Sequence, residues 1–194
     1  ATRSWLDKNP NVKAQEIIEV TQEELTRASL QKTPQDVLAI FEQPAYEMQP
    51  GMVSQSLCLA LDDIQDPGNL GTIIRVADWF GIEDIICSTD TADIFNPKAT
   101  QATMGALARV KVHYTDLASF LTETSRQSVP IYGTFLDGEN IYGHPLTPNG
   151  IIVMGNEGKG ISHDIASIVS DRILIPNYPQ DRPTTESLNV AVAT

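Results

Sequence analysis

Short apolar runs alternate with helix-like segments over residues 51–194. The apolar runs are nearly continuous, which is typical of strands in a parallel sheet that is covered on both faces. Strand–helix–strand repetition predicts an α/β domain with right-handed crossovers. The predicted strands are SLCLAL (56–61), EDIICS (83–88), VPIYGTF (129–135), GIIVMG (150–155) and RILIPN (172–177), and the predicted helices cover 69–80, 97–107, 115–123 and 162–169.

Residues 1–50 have a different character. Thr21 followed by Glu24 forms a capping-box signature that predicts a helix start, and VLAIF (37–41) predicts a short strand. Prolines punctuate this stretch, and so few apolar positions make a poor independent core. We therefore predict that residues 1–50 are the end of another domain with its connector, and that residues 51–194 form the main domain.

Composition limits the possible partners. The net charge of −12 argues mildly against nucleic-acid binding, because basic surfaces supply much of that affinity. Cys58 and Cys87 lie in strand-like runs, so they are predicted to be buried, reduced thiols of a cytoplasmic protein. No apolar run approaches the roughly 20 residues that a membrane helix needs, and no membrane partner is predicted.

Three loops at predicted strand ends carry polar groups, at the edge where parallel sheets bind ligands. In the first, Asn69 is expected to cap a helix, and Arg75 lies among apolar residues, so it should pair or reach a cleft unless it is simply solvated. The second loop is GNEGKGIS (155–162), where Ser162 is expected to cap the next helix. Glu157 would repel a phosphate there, and no GK[ST] closes the loop, although a plain tight turn is an alternative. In the third loop (173–194), Ser187 and Asn189 flank Leu188 where a buried element begins, and helix capping by Ser187 is the alternative to a functional role.

Together the loops resemble the three motifs of the SpoU (TrmH-like) family of RNA 2′-O-ribose methyltransferases, within the SPOUT superfamily. The matching stretches are PGNLGTIIRVADWFG, GNEGKGIS and IP…ESLNVAVA, in the family's order and spacing. The resemblance covers residues 51–194, and TRASLQKTPQDVLAIFEQP resembles the end of the family's N-terminal domain. It implies a parallel α/β sheet flanked by helices with a deep C-terminal trefoil knot, preceded by the remnant of an L30e-like substrate-binding domain.

The resemblance also implies an activity. A cytoplasmic homodimer, with its active site near the dimer interface, would transfer a methyl group from S-adenosylmethionine to a ribose 2′-hydroxyl of tRNA or rRNA. The knot loops would hold the cofactor largely through backbone groups. The implied cofactor-binding residues are Thr134, Phe135, Leu136, Gly155, Asn156, Gly158, Ile175, Pro176, Ser187, Leu188 and Asn189.

The implied catalytic residues are Arg75, Asn69, Glu157, Ser187 and Asn189. Because arginine stays protonated, Arg75 would hold the target phosphate and stabilise the developing alkoxide rather than act as a base. Asn69 and Glu157 would orient Arg75, with Glu157 as its ion-pair partner. Ser187 and Asn189 would fix the cofactor loop and the hydroxyl.

The third motif departs from the family pattern. Residues 177–185 are longer than usual and lack a glycine, and Arg182 within them is expected to be solvated rather than to bind RNA. Family members continue beyond the equivalent of Thr194 into a terminal helix, which is expected to be missing here.

Two other functions remain open: a catalytically inactive knotted RNA-binding or assembly module, and, less favoured, a phosphate-handling doubly wound enzyme.

Overall fold

The computed structural model describes residues 1–29, 31, 33–179, 185 and 187–194. The chain divides into two compact units, Ala1–Ala45 and Tyr46–Thr194, slightly before the boundary placed from the proline pattern. Within the described ranges, every helix is too short or too polar to cross a lipid bilayer.

The first unit contains two short helices, α1 (Arg3–Lys8) and α2 (Gln22–Ala28). The predicted capping box is confirmed: Glu24 N–H donates to Thr21 Oγ1, and the Glu24 carboxylate accepts from Thr21 N–H. The predicted strand at 37–41 is wrong, because those residues have no strand conformation. A β-branched run forms a strand only where a neighbouring strand can pair with it.

The second unit is built on a six-stranded parallel sheet. Its strands are β1 (Leu57–Leu61), β2 (Asp84–Ser88), β3 (Lys111–Thr115), β4 (Ile131–Asn140), β5 (Gly150–Met154) and β6 (Asp171–Leu174). The order across the sheet is β3-β2-β1-β5-β4-β6. All five predicted strands are confirmed, β4 extends past its predicted end, and β3 was not predicted. β1 and β5 are the central pair, and their last residues, Leu61 and Met154, are in register.

Helices cover both faces of this sheet, as the continuous apolar strands predict. They are α3 (Met52–Gln55), α4 (Pro67–Phe80), α5 (Pro97–Ala102), α6 (Leu117–Ser125), α7 (His163–Ala166) and α8 (Val190–Ala193), with a 3-10 turn at Ala106–Ala108. The predicted helix at 97–107 is therefore shorter and is followed by a separate turn. The predicted helix at 162–169 ends early, at Ala166.

The core forms two layers, because alternate residues of each strand face opposite sides. One layer packs Leu59 and Leu61 against α4 and α8, and the other packs Cys58 and Ala60 against α6 and α7. Both cysteines are free and buried, as predicted, and burial raises the pKa of Cys58 to about 11. Such a thiol is inert at neutral pH.

Candidate active site

The loops after β1 and β5 lie side by side, because these two strands end in register at the centre of the sheet. The side chains of Asp62 and Asn156 are among the groups that join the loops. Ser162 N–H donates to Asp62 Oδ2 at 2.7 Å, and Asn156 Nδ2 donates to Asp63 O at 2.7 Å. Strand order changes direction at this point of the sheet, which is where α/β proteins place ligands.

The 155–160 loop is braced internally. Asn156 and Gly160 exchange backbone hydrogen bonds, and Asn156 Oδ1 accepts from the N–H groups of Gly158 at 2.9 Å and Lys159 at 3.0 Å. A Cβ atom on Gly155 would lie 2.2 Å from Ile161 N, so only glycine fits there. The polar groups of the predicted cofactor residue Asn156 are thus engaged within the protein.

Glu157 projects from this loop toward the start of α4. Its Oε1 accepts from Asn69 Nδ2 at 3.0 Å and from Asp66 N–H at 3.4 Å, and its Oε2 accepts from Gln65 N–H at 3.3 Å. Partial burial alone would raise the pKa of Glu157, but hydrogen bonds from Asn69 and from backbone N–H groups outweigh it, so the pKa is lowered. Glu157 is therefore a carboxylate at neutral pH.

Asn69 connects Glu157 to the third motif. Its Oδ1 accepts from Asn189 Nδ2 at 3.1 Å, while Asn189 Oδ1 accepts from Ala191 N–H at 3.0 Å and caps α8. We call the hydrogen-bonded series of side chains Asn189–Asn69–Glu157 the amide relay. Its direction is set at both ends, because a backbone N–H can only donate and a carboxylate can only accept. The relay joins one residue from each of the three predicted motifs.

The expected capping role of Asn69 is wrong. Asp66 caps α4 instead, because its Oδ1 accepts from Asn69 N–H at 2.9 Å and Pro67 occupies the first turn. Lys98 Nζ donates to the other carboxylate oxygen at 2.6 Å. This contact, together with the hydrogen bonds that Asp66 accepts from first-turn N–H groups, lowers the pKa of Asp66. Ser162 precedes α7, but its side chain makes no capping bond either.

Arg75 lies apart from the amide relay. The expected ion pair with Glu157 is not formed, since the Glu157 carboxylate is held by Asn69, Gln65 and Asp66. Arg75 is exposed on α4, and among the described residues it has no hydrogen-bond or ion-pair partner. In the single chain, Arg75 is therefore exposed to solvent, which is the alternative that the sequence left open.

The predicted cofactor segment around Thr134 is not a simple loop. β4 continues to Asn140 and pairs again with β6 after an irregularity between Thr134 and Glu139. Thr134 Oγ1 donates to Val153 O at 3.0 Å, which ties the segment to β5. Phe135 lies under the Arg172 guanidinium, 3.5 Å from the ring centroid, whereas Leu136 is exposed.

The other third-motif residues make fewer contacts than Asn189. Ile175 and Pro176 are half-buried just after β6, whereas Leu188 is exposed. Ser187 is also exposed and has no hydrogen bond to another described residue. Arg182 lies outside the described residues.

Sequence reasoning missed four residues of this site: Asp62, Asp63, Gln65 and Asp66. Their backbone or side-chain groups contact the 155–162 loop. The available signal was DDIQD, a polar run directly after a buried strand of a parallel sheet. Within the described ranges, no cluster of three or more His, Cys, Asp or Glu could hold a metal ion.

Comparison with known proteins agrees with this geometry. Residues 56–194 match the model of the SpoU rRNA Methylase family. The chain is 33% identical over 163 residues to 23S rRNA (guanosine(2553)-2′-O)-methyltransferase RlmP of Bacillus subtilis, an alignment that covers 84% of this chain and 62% of that protein. The chain thus spans less than two thirds of the length of this relative.

Solved structures give the same result. A protein described as an RNA methyltransferase of the TrmH family from Porphyromonas gingivalis is 42% identical with a TM-score of 0.87, over 99% of this chain and 76% of that one. An AdoMet-bound rRNA methyltransferase from Sinorhizobium meliloti is 30% identical with a TM-score of 0.78, over 90% of this chain and 67% of that one. The family model covers most of the chain, and its matched segment contains the whole amide relay. The chain therefore belongs to the SpoU rRNA methylase family.

Proposed function

We propose that this protein transfers a methyl group from S-adenosylmethionine to a ribose 2′-hydroxyl of tRNA or rRNA. The observation that carries the proposal is the amide relay, in which Asn69, Glu157 and Asn189 meet from three distant segments. The naming of relatives as RNA methyltransferases supports the same activity.

The residues of the site fit a cationic cofactor better than an anionic one. Glu157 supplies a negative charge in the loop, whereas Asp63 is paired with Lys159 at 3.9 Å, and the N–H groups of Gly158 and Lys159 are already bonded to Asn156. A phosphate would need those N–H groups free. S-adenosylmethionine, when bound, supplies an electrophilic methyl group on a sulfonium cation. These observations count against the phosphate-handling alternative.

In this mechanism, the chain contributes mainly alignment. In-line transfer requires the hydroxyl oxygen, the methyl carbon and the sulfur to be held together, and such positioning can supply about 7–11 kcal/mol of a barrier. The relay would hold the loops on either side of the reacting groups. Ser187 would contact the cofactor loop, and Arg75 would hold the target phosphate, which can take up the hydroxyl proton directly or through a water.

We also propose that the protein is a homodimer through the exposed face of α4 and α8. Trp79 on α4 is 85% exposed and Val192 on α8 is 71% exposed, although both helices pack into one core layer. Arg75 lies on α4 as well, so this interface would bring it near a second copy of the chain.

Trp79→Glu should give a monomer in sedimentation experiments. Tyr142→Glu, at another exposed aromatic, should leave a dimer, and two dimeric variants would contradict this interface.

The trefoil knot that the resemblance implies is part of the proposal. Burial of Val190 and Ala191 in the core layer, with Asn189 bonded to Asn69, supports a C-terminal segment held deep in the domain. A crystal structure in which residues 175–194 run outside the sheet without threading would contradict the knot.

We propose that the first unit, Ala1–Ala45, belongs to an L30e-like RNA-binding domain. The main support is the structural similarity to the TrmH-family protein, which extends over 99% of this chain. RNA affinity measured for residues 1–194 and 46–194 should differ if this unit binds RNA.

The buried free cysteines support a cytoplasmic location.

Methyl transfer is tested with labelled S-adenosylmethionine, using total rRNA and total tRNA as separate substrates. Incorporation should be resistant to alkaline hydrolysis, as expected of 2′-O-methylated ribose, and Arg75→Ala should lose transfer while keeping cofactor binding. Cofactor and RNA binding without any transfer would instead favour the inactive RNA-binding module.

A further inference from the structure

Asp62 is a buried carboxylate for which the proposed mechanism has no direct use. It follows β1 immediately and is only 6% exposed. A buried carboxylate is costly unless it is hydrogen-bonded. Its Oδ2 accepts from Ser162 N–H at 2.7 Å, a short bond of the charge-assisted type.

Asp62 contacts both ends of the loop that carries Glu157. Its backbone N–H donates to Met154 O at 2.9 Å, at the point where β5 ends and the loop begins. Its carboxylate accepts from Ser162 N–H, where the loop ends and α7 begins. One residue therefore closes the base of the 155–161 loop.

The loop between these two contacts behaves as one body. The backbone bonds between Asn156 and Gly160, and the bonds from Asn156 Oδ1 to two N–H groups, leave few internal degrees of freedom. A displacement at the base of the loop is therefore carried to Glu157.

Glu157 is sensitive to such a displacement. Its bonds to the N–H groups of Gln65 and Asp66 are 3.3 and 3.4 Å long, near the limit for a hydrogen bond. A shift of about 1 Å would break them, and it would also separate Glu157 from Asn69, which is bonded at 3.0 Å.

We propose that Asp62 is a positioning residue for methyl transfer. By holding Ser162 N–H, it places Glu157 against Asn69 and against the backbone N–H groups of the two residues that precede α4. This inference rests on the proposed function for its kinetic consequence. The structural consequence, loss of the Glu157 contacts, is independent of that function.

The first test uses nuclear magnetic resonance on the 194-residue chain. Asp62→Ala should change the backbone amides of Gln65 and Asp66 and the side-chain amide of Asn69, in addition to Ser162. A carboxylate that merely stabilises α7 would affect Ser162 and its neighbours alone, and that result would overturn the proposal. Glu123→Ala removes an exposed carboxylate from α6, away from these contacts, and should leave all four signals in place.

The second test is kinetic. Asp62→Ala should lower kcat about 10- to 100-fold, as expected for a displacement of about 1 Å at a reacting centre. Asp62→Asn retains an acceptor oxygen and should recover most of this loss. In a Glu157→Ala background the same change should cost less than about 2-fold, because residues that act through one another are not additive.

The proposal is overturned if a folded Asp62→Ala variant keeps wild-type kcat, or if its loss is undiminished in the Glu157→Ala background. If Asp62→Ala does not fold, Ser162→Pro tests the same bond from the donor side, because Ser162 has φ −61°, which proline can adopt. Absence of methyl transfer by the wild-type protein would refute the proposed function, whereas the resonance experiment would still decide the role of Asp62.

Discussion

Replacing Asn69 by Asp is the sharpest perturbation of the amide relay. The new carboxylate can still accept from Asn189, but it cannot donate to Glu157, whose Oε1 lies 3.0 Å from the present amide nitrogen. A charge-assisted bond is thus replaced by two facing carboxylates. The rest of the site is left as it is.

The size of the effect follows from that separation. Two like charges at 3 Å repel by about 1 kcal/mol in bulk water and about 5 kcal/mol at an effective dielectric constant of 20. Because Glu157 is largely exposed, the lower end applies, at about 1–2 kcal/mol. Loss of a hydrogen bond to a charged group adds about 1.5–3 kcal/mol. The sum, about 2.5–5 kcal/mol, corresponds to a loss of at least about 70-fold in kcat/KM.

The loss should depend on pH in a way that identifies its cause. Two adjacent carboxylates raise the pKa of one of them, and a protonated Asp at position 69 could donate to Glu157 and restore the relay. The ratio of Asn69→Asp to wild-type activity should therefore rise as the pH falls from 8 to 5.5, measured by labelled methyl transfer. Asn69→Ala, which cannot regain a donor, is the matched control. A constant ratio for Asn69→Asp would refute the relay as described.

Further predictions concern stability. Gly155→Ala should lower the free energy of unfolding by at least about 2 kcal/mol in urea titrations, because its Cβ would lie 2.2 Å from Ile161 N. Gly158→Ala, whose Cβ would come no closer than 3.7 Å to another atom, should cost less than about 1 kcal/mol, and equal costs would show that close packing is not the reason. The lowered pKa of Glu157 means that its carboxylate stabilises the fold above its unfolded-state pKa, and that this stabilisation is lost as the pH falls through the folded value. Glu157→Gln should therefore weaken the acid dependence of stability below about pH 5, whereas unchanged dependence would contradict the observed contacts.

The strands could be predicted where the sheet is buried on both faces. β1, β2 and β5 are continuous apolar runs, and the structure buries them at the centre of the sheet. β3 was missed because it is an edge strand with a mixed sequence, KVHYT, in which only His113 is fully buried. β3 is a strand because it pairs with β2, and its own sequence does not indicate that pairing. The run at 37–41 failed for the opposite reason, since it has strand-forming residues but no strand beside it among the residues that the structure describes.

The candidate site was predictable in part. The motifs identified Asn69, Glu157 and Asn189, which the structure brings together. The pairing of Arg75 with Glu157 was inferred from opposite charge, but helix geometry opposes it. Six residues along a helix correspond to about 9 Å of rise and a rotation of about 240°, so Arg75 and Asn69 face different directions. Charge complementarity in a sequence says nothing about which face of a helix a residue occupies.

The hydrogen bonds of Glu157 also bear on where the hydroxyl proton goes. A carboxylate held by Asn69 and two backbone N–H groups is stabilised in its ionised form, which makes it a weak proton acceptor. We infer that Glu157 organises the site rather than acting as the base. Glu157→Gln keeps an acceptor oxygen for Asn69 and should retain much more methyl transfer than Glu157→Ala, measured at one pH with saturating cofactor. Equal, complete losses in two folded variants would contradict this role, because the amide keeps the contact with Asn69 and removes the charge, the basicity and the longer bond from Gln65 N–H.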